Sequence, residues 1–167
     1  MSSKTGHDIK KRTKANDVFI TPPELAKKHI DMIEYTDDDI WYDPFKNSGS
    51  YYNQFPNDNK VWSEILEDKD FFEFNDPVDI ICSNPPYSMI NAVLEKCVSL
   101  NPRVISLLIG QGNLTTKRIE YMENQGYGLY NLRMLKVHSW YGMSYICHWE
   151  KDTISCIEID RKIYKDV

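Results

Sequence analysis

The stretch VDIICSNPPYS, residues 78–88, joins an apolar run to a turn that contains two prolines. Val78–Cys82 predicts a central strand of a parallel sheet, because a strand covered on both faces is apolar throughout. Pro85 and Pro86 lack the amide donor that a longer ladder needs, so the strand must end at or before Asn84. In open α/β sheets, ligands bind at the carboxyl ends of the strands. The stretch therefore predicts a strand whose end carries a functional site.

The segment after this turn has the pattern of an amphipathic helix. Ser88 is expected to cap it, because a serine side chain accepts a hydrogen bond from a free amide of the first turn. Five apolar residues at helical spacing predict its buried stripe: Ile90, Val93, Leu94, Cys97 and Val98.

Other elements alternate along the chain. Strands are predicted at residues 40–45, 60–66, 78–84, 103–109, 129–137, 144–150 and 153–159, and helices at 21–33 and 116–124. Thr21, Pro22 and Glu24 form the pattern of a capping box with proline at the first helical position. Strands separated by helices, followed by strands close in sequence, predict an α/β fold with a mostly parallel sheet and an antiparallel C-terminal portion.

Length and composition indicate one domain. The 167 residues are 41% hydrophobic, enough for a sizeable core. No apolar stretch approaches the ~18 residues of a membrane span, and the polar, basic amino terminus is unlike a signal peptide, which favours a cytoplasmic protein with no membrane contact. The four cysteines show no CxxC pairing, so buried reduced thiols are favoured over a disulfide framework or a metal site.

Charge is concentrated at the amino terminus. The net charge is −5, which argues against a protein that coats nucleic acid by bulk electrostatics. Residues 1–16 are nevertheless basic, with Lys10, Lys11, Arg12 and Lys14 close together. Two interpretations stay open, a flexible solvated tail and an arm that contacts phosphates. Residues 17–167 are then the folded domain.

Two acids mark the strand ends before the NPPY turn. Asp43 ends the first predicted strand and is followed by a turn with Asn47 and Gly49, where backbone amides can approach a ligand closely. Glu64 lies near the end of the second, at the spacing of about twenty residues at which α/β nucleoside-binding folds place the acid that holds the ribose hydroxyls. Taken alone, Glu64 fits a solvated surface acid better than a ribose contact, and it is the order and spacing of these residues ahead of the NPPY turn that favour a site.

Five segments in this order resemble the S-adenosylmethionine-dependent amino methyltransferases, particularly the DNA adenine-N6 methyltransferases. They are FITPPELA (residues 19–26), DPFKNSGS (43–50), SEIL (63–66), DKDFFEF (68–74) and SNPPY (83–87). The resemblance is clear over residues 19–100 and looser beyond. It implies a single-domain, Rossmann-like methyltransferase fold and S-adenosylmethionine as cofactor.

The same resemblance implies roles for particular residues. Phe19 and Thr21 would lie at the methionine end of the cofactor, Glu64 on the ribose hydroxyls, and Asp70 and Phe71 beside the adenine. The complete set of implied cofactor contacts is Phe19, Thr21, Asp43, Pro44, Phe45, Asn47, Gly49, Glu64, Asp70, Phe71 and Asn84. The implied catalytic residues are Asn84, Pro85, Pro86 and Tyr87.

The NPPY turn suits transfer to an exocyclic amine. The lone pair of adenine N6 is delocalised into the ring, so a catalyst must localise it. The Asn84 side-chain oxygen and the Pro85 carbonyl can each accept one amine hydrogen and stabilise the charge that develops on nitrogen. The prolines hold these acceptors rigidly, and Tyr87 offers a face on which a flipped base can stack.

The chain departs from the family pattern at one position. Asn47 replaces the first glycine of the cofactor turn, after Lys46 in place of a small residue. Asparagine tolerates a positive φ, so the turn is expected to survive. The added side chain motivates a second hypothesis, a subunit of methyltransferase fold that binds nucleic acid or a catalytic partner without turnover.

Substrate identity stays open at this stage. DNA is favoured, but NPPY turns also serve family members that methylate adenine in RNA or the glutamine amide of release factors. The chain shows no separate target-recognition domain, so recognition must come from the basic tail, from the loops at 110–118 and 138–143, or from a homodimer or partner subunit. Trp140 and Tyr141 are candidate base contacts.

Overall fold

A computed structural model describes residues 20–138, 140 and 142–161 of the chain. Three helices and six strands lie within these residues. In chain order they are α1 (Pro23–Ile30), β1 (Trp41–Asp43), β2 (Lys60–Trp62), β3 (Ile80–Ser83), α2 (Ile90–Ser99), β4 (Val104–Gly110), α3 (Thr116–Asn124), β5 (Tyr127–Leu135) and β6 (Ser144–Lys151).

All six strands belong to one sheet, in the order β2-β1-β3-β4-β6-β5. β1 pairs in parallel with β2 and β3, and β3 pairs in parallel with β4. β6 lies antiparallel between β4 and β5. The predicted fold class, a mostly parallel Rossmann-like sheet with an antiparallel C-terminal portion, is confirmed. The strand order reverses between β1 and β3, which makes their carboxyl ends the topological switch point of the sheet.

The two faces of the sheet are covered by different helices. On one face, Tyr42, Ile81 and Ile105 pack with the apolar residues of α2 and with Met122 of α3. On the other face, the neighbouring residues Trp41, Ile80 and Val104 pack with Ala26 and Ile30 of α1. Successive strand residues point to opposite faces, so a parallel strand covered on both sides is apolar throughout, as residues 78–82 predicted.

Several predicted boundaries were wrong. β1 and β2 each have three residues, because the chain turns into the site directly after Asp43 and Trp62. The predicted strand at 153–159 does not form. There the Leu129 amide donates to the Ser155 hydroxyl at 3.0 Å instead of to a backbone carbonyl, so no regular ladder continues beside β5.

Two predicted helix caps were also wrong. Ser88 lies inside a 3₁₀ turn, Tyr87–Met89, and α2 begins after Met89 without a side-chain cap. At α1 the N-cap position is Pro22, without a side-chain hydrogen bond. The Thr21 hydroxyl instead accepts a hydrogen bond from Asn84 at 3.2 Å, so Thr21 belongs to the site rather than to the helix.

The cysteines are free thiols, as predicted. Cys82, Cys97 and Cys147 are buried and Cys156 is exposed. In the described part of the chain, no helix has the length and apolar character needed to cross a membrane. The predicted basic tail, residues 1–16, lies outside the described residues, and the division into tail and domain stays a prediction.

Candidate functional site

A cavity of about 230 Å³ opens at the carboxyl ends of β1 and β3. Its walls are the turn at 44–51, the segment at 64–71 and the turn at 84–87, with Thr21 beside them. These are the segments in which the sequence predicted a site. The cavity lies at the switch point of the sheet, where ligands bind in open α/β folds.

Most of the predicted site residues meet in this cavity. Eleven of them line it: Thr21, Pro44, Phe45, Asn47, Glu64, Asp70, Phe71, Asn84, Pro85, Pro86 and Tyr87. Asp43 and Gly49 do not line it and instead shape the turn from behind. Phe19 lies outside the described residues.

The turn after β1 has the conformation that its sequence predicted. Asn47 has φ 45° and Gly49 has φ 84°, so asparagine does adopt the left-handed region. The φ of Gly49 is what favours glycine at this position; a Cβ there would lie 2.6 Å from Asn53 Nδ2, so the Asn53 side chain would also have to move.

Glu64 holds this turn against the next segment. One carboxylate oxygen accepts the Asn47 amide at 2.9 Å, and the other accepts the Leu66 amide at 3.1 Å. Each oxygen keeps a second lone pair, so the carboxylate can still accept hydrogen bonds from two hydroxyl groups. Glu64 therefore serves both as the brace of the turn and as an acceptor at the cavity wall.

Asp43 is buried where β1 meets β3. Its Oδ1 accepts the Ser83 hydroxyl at 2.6 Å and the Phe45 amide at 3.3 Å. Burial raises the pKa of this carboxyl to about 7, although the hydrogen bonds from Ser83 and Phe45 oppose the rise. Asp43 thus joins the ends of two neighbouring strands beneath the cavity.

Asn84 presents an acceptor with no partner. Its Nδ2 donates to the Thr21 hydroxyl at 3.2 Å. Its Oδ1 is buried and accepts no hydrogen bond from any residue that the structure describes. An unsatisfied buried acceptor costs about 1–3 kcal/mol, so a ligand that donates a hydrogen bond here would recover that free energy.

Tyr87 is held by the ends of β4 and β6. A Cβ on Gly110 would lie 3.2 Å from Tyr87 Cε2, so the ring packs closely against this glycine. Burial raises the pKa of Tyr87 to about 12, and a hydrogen bond with Ser144 opposes the rise. Gly110 and Ser144 are paired across β4 and β6, so the sheet itself positions the ring.

The far end of the cavity is aromatic and acidic. Phe45 and Phe71 meet edge to face with their ring centroids 5.0 Å apart. Lys46 donates to Glu67 at 2.8 Å, and the amines of Lys46 and Lys69 lie 3.7 and 3.6 Å from the Trp62 ring centre. The aromatic rings suit a flat ring, and the carboxylates of Glu64 and Asp70, which also line the cavity, suit hydroxyl and cationic groups. S-adenosylmethionine carries all three kinds of group.

Sequence reasoning missed a buried network behind the cavity. His29 is fully buried, with Nδ1 2.9 Å from the hydroxyl of Tyr51 and Nε2 2.7 Å from that of Ser106. Burial lowers the pKa of His29 to about 3, and the charges of His148 and Arg133 add to the effect. Tyr51 itself lines the cavity. A lone histidine in a polar helix gave no signal that it would support the site.

Of the six residues predicted to contact nucleic acid, the structure describes only Trp140. Lys10, Lys11, Arg12, Lys14 and Tyr141 lie outside the described residues. Trp140 is half-buried in the hairpin between β5 and β6 and does not line the cavity. Within residues 20–138, 140 and 142–161, no cluster of histidine, cysteine or acidic side chains could hold a metal ion.

The sequence matches no protein-family model and no curated protein. Solved structures do resemble it. The Mtq2–Trm112 complex of E. cuniculi, responsible for methylation of the translation termination factor eRF1, has a chain that matches with 17% identity and a TM-score of 0.60, covering 82% of this chain and 99% of that one. Magnesium protoporphyrin IX methyltransferase of Synechocystis PCC 6803, with bound SAH, matches with 10% identity and a TM-score of 0.59 over 89% and 94% of the two chains.

A third match is a modification subunit of a candidate type I restriction enzyme from Vibrio vulnificus YJ016, with 13% identity and a TM-score of 0.60. It covers 90% of this chain and 48% of that subunit, so this chain spans about half of the subunit's length. At such identities these likenesses establish a shared fold alone. Since proteins of this fold act on different substrates, the substrate must be argued from the site.

Proposed function

We propose that this protein is an S-adenosylmethionine-dependent methyltransferase that modifies the N6 amine of adenine in DNA. The observation that carries the proposal is the buried Oδ1 of Asn84 at the wall of the cavity, which accepts no hydrogen bond from the residues that the structure describes. It sits in an SNPPY turn, next to a site whose walls suit the cofactor.

Three parts of the cavity would hold the cofactor. The Glu64 carboxylate would accept hydrogen bonds from the ribose hydroxyls, and the Phe71 region would pack against the adenine. Thr21 lies beside the turn at residues 84–87, which we name the acceptor turn. Once bound, the cofactor supplies an electrophilic methyl group on a sulfonium centre. The lining is net negative, because Lys46 offsets the charge of Glu67, with which it pairs at 2.8 Å, while Glu64 and Asp70 add two further carboxylates, and this favours a ligand that carries positive charge.

The acceptor turn then activates and orients the amine. Asn84 Oδ1 and the Pro85 carbonyl each accept one amine hydrogen, which localises the nitrogen lone pair and stabilises the positive charge that develops on nitrogen. The Thr21 hydroxyl, which accepts from Asn84 Nδ2 at 3.2 Å, holds the Asn84 side chain at the cavity wall. The Tyr87 ring stacks on the target base. Catalysis comes from orientation and electrostatic stabilisation, without a strong general base.

DNA is favoured among the possible acceptors on the form of two segments. TPPELA before the cofactor turn and DPF within it resemble the DNA enzymes more than the glutamine enzymes. One observation favours the second hypothesis, a subunit without turnover: Asn47 lines the cavity with a side chain where the family has glycine.

Methyl transfer with isotope-labelled cofactor tests the proposal. The acceptors are unmethylated duplex DNA, single-stranded DNA, RNA and a glutamine-bearing release factor. We expect label on DNA that digests to N6-methyladenosine. Asn84→Ala should lose at least a hundredfold in kcat while binding of the cofactor is largely retained, because it removes a charge-stabilising acceptor.

Asn59→Ala is the matched control. This asparagine is exposed at the opposite end of the sheet, where its amide donates to the Asp37 carbonyl at 3.2 Å. It should transfer methyl groups at the wild-type rate. Equal turnover by Asn84→Ala would remove the role given to Asn84, and saturable cofactor binding without label on any acceptor would favour the subunit hypothesis.

A further inference from the structure

Charge is divided sharply between two parts of the chain. Residues 20–83, which build the cofactor side of the cavity, contain fifteen acidic and five basic side chains. Residues 84–143, which contain the NPPY turn and everything after it up to β6, contain three acidic and six basic side chains. The net charges are therefore −10 and +3. A uniformly solvated surface would mix the two signs, so the difference calls for a functional reason.

The three acids of the second part are on helices α2 and α3, not on the loops beside the site. They are Glu95, Glu120 and Glu123. Glu120 pairs with Arg161, and Glu123 accepts the Ser155 hydroxyl at 2.5 Å. Two of the three are thus bound to the segment after β6.

Three acid-free segments form a continuous edge beside Tyr87, which we name the acceptor rim: residues 87–91, residues 110–118, and the described residues 136–138, 140, 142 and 143 of the hairpin. A Cβ on Gly110 would meet both the Tyr87 ring and Asn113 Nδ2, at 3.2 and 3.4 Å. The Gln111 amide donates to the Met143 carbonyl at 2.9 Å and so joins the loop to the hairpin.

Arg118 joins the second segment of the rim to the first. It donates to the Asn113 carbonyl at 2.7 Å and to Asn91 Oδ1 at 2.8 Å. The rim is therefore braced from within by backbone and amide groups.

Two lysines of the rim are available for a ligand. Lys117 is exposed in the first turn of α3 and forms no hydrogen bond or ion pair with the residues that the structure describes. Lys136 is exposed at the base of the hairpin, where its amine donates to the Trp140 carbonyl and keeps two further N–H groups. The Gln111 side chain between them is exposed and uncharged.

We propose that the acceptor rim is the track of a nucleic-acid strand past the acceptor turn, with Lys117 and Lys136 contacting its phosphates. The inference rests on the proposed function and deepens it by assigning the surface and the two lysines that bind the substrate strand. Lysine amines bind phosphates as point charges, and neutral amides nearby avoid repelling the strand. The cofactor side of the cavity is net negative, since Glu64, Glu67 and Asp70 line it against Lys46, the single cation among the described lining residues, and it repels a polyanion, which favours the rim as the path of the strand.

Binding by fluorescence anisotropy tests this proposal without any methyl transfer. The probes are labelled duplex DNA, single-stranded DNA and RNA of one sequence, each titrated over a range of NaCl concentrations. Lys117→Gln and Lys136→Gln should each weaken binding about fivefold to tenfold. Each should also reduce the slope of log K against log[NaCl] by about 0.9 for the duplex or about 0.7 for a single strand, because one counterion-releasing contact is lost.

Lys96→Gln is the matched control. It removes the same charge from the last turn of α2, at the opposite end of that helix from the acceptor turn, where the amine donates to Asn75 Oδ1 at 3.0 Å. Its affinity and salt slope should equal those of the wild type. Equal losses in all three variants, or no loss in the two rim variants, would overturn the proposal.

The experiments distinguish a failure of the acceptor rim as a binding surface from a failure of the proposed methyltransferase activity. Lysine-dependent binding of nucleic acid without methyl transfer would support the rim and refute the activity. Methyl transfer to a release factor by a protein that binds none of the three nucleic acids would overturn the rim. The nucleic acid whose affinity falls more in Lys117→Gln and Lys136→Gln, DNA or RNA, is identified as the substrate strand.

Discussion

At the scale of single residues, the cofactor turn shows how one departure from a pattern is accommodated. Asn47 takes φ 45° where glycine would be free of strain, and its amide is fixed by Glu64 at 2.9 Å. The backbone of the turn therefore keeps its form. Only the side chain at the cavity wall differs from a glycine turn. We therefore expect Asn47 to change the affinity for a ligand rather than the folding of the turn.

Asn47→Gly isolates that consequence. It removes a side chain from the cavity wall and relieves a left-handed asparagine, so we expect cofactor binding to tighten by about threefold to tenfold. The free energy of unfolding should change by less than about 1 kcal/mol. Isothermal titration calorimetry with S-adenosylmethionine measures the first quantity and urea unfolding the second. Unchanged or weaker binding would show that the Asn47 side chain does not obstruct the ligand.

Gly110→Ala tests whether the sheet positions Tyr87. The new methyl group would lie 3.2 Å from Cε2 and 3.4 Å from Cδ2, so the ring must move by a few tenths of an ångström. We expect kcat for DNA to fall about tenfold, because small displacements at a reacting site are costly, while the dissociation constant for the cofactor is unchanged. Steady-state kinetics with a cofactor titration measures both. A normal kcat would mean that the ring tolerates displacement.

At the scale of elements, the helices and strands with periodic apolar patterns were predicted well. The hydrogen-bond partners of individual side chains were predicted poorly. Helix α3 (Thr116–Asn124) was predicted to the residue, because its ends follow local signals: Thr115 caps it and Gly126 follows it with φ 85°. Thr21 and Ser88 have the same local signals for a cap but are used otherwise, since a tertiary partner or a 3₁₀ turn competes for them. The His29 network could not be predicted, because it joins residues 77 positions apart.

The His29 network makes a prediction about the pH dependence of stability. The folded-state pKa is lowered to about 3, whereas an unfolded histidine titrates near 6.5. Between these values the unfolded chain binds the extra proton, so the contribution of His29 to stability is present above pH 6.5 and is lost as the pH falls, by up to about 1.4 kcal/mol per pH unit. In His29→Gln that loss is absent. Urea unfolding from pH 7.5 to 5 should therefore show the stability difference between wild type and variant shrinking as the pH falls, and parallel curves would contradict it.

At the scale of the whole molecule, one sheet brings distant segments to a single point. The cavity walls extend from Thr21 to Tyr87 in sequence and meet at the switch point between β1 and β3. The parallel order and the antiparallel end followed from the spacing of apolar runs, and so did the placement of the site at the strand ends. The separation of charge between the two sides of the cavity was not predicted. The sequence does not show which segments lie together in the acceptor rim, and only the fold does.

A ligand that contacts all of these walls should stabilise the whole fold. S-adenosylmethionine at about 100 times its dissociation constant would add about 2.7 kcal/mol to the free energy of unfolding. For a chain of this length, that corresponds to a rise in Tm of about 5–10 °C.

Glu64→Gln should lose most of this rise in Tm, because an amide accepts hydrogen bonds at one atom only, whereas both carboxylate oxygens of Glu64 accept backbone amides of the turn and the next segment. Glu73→Gln, an exposed acid outside the cavity, should keep it. Differential scanning fluorimetry measures all three proteins without requiring turnover, so a missing shift in the wild type would contradict cofactor binding itself.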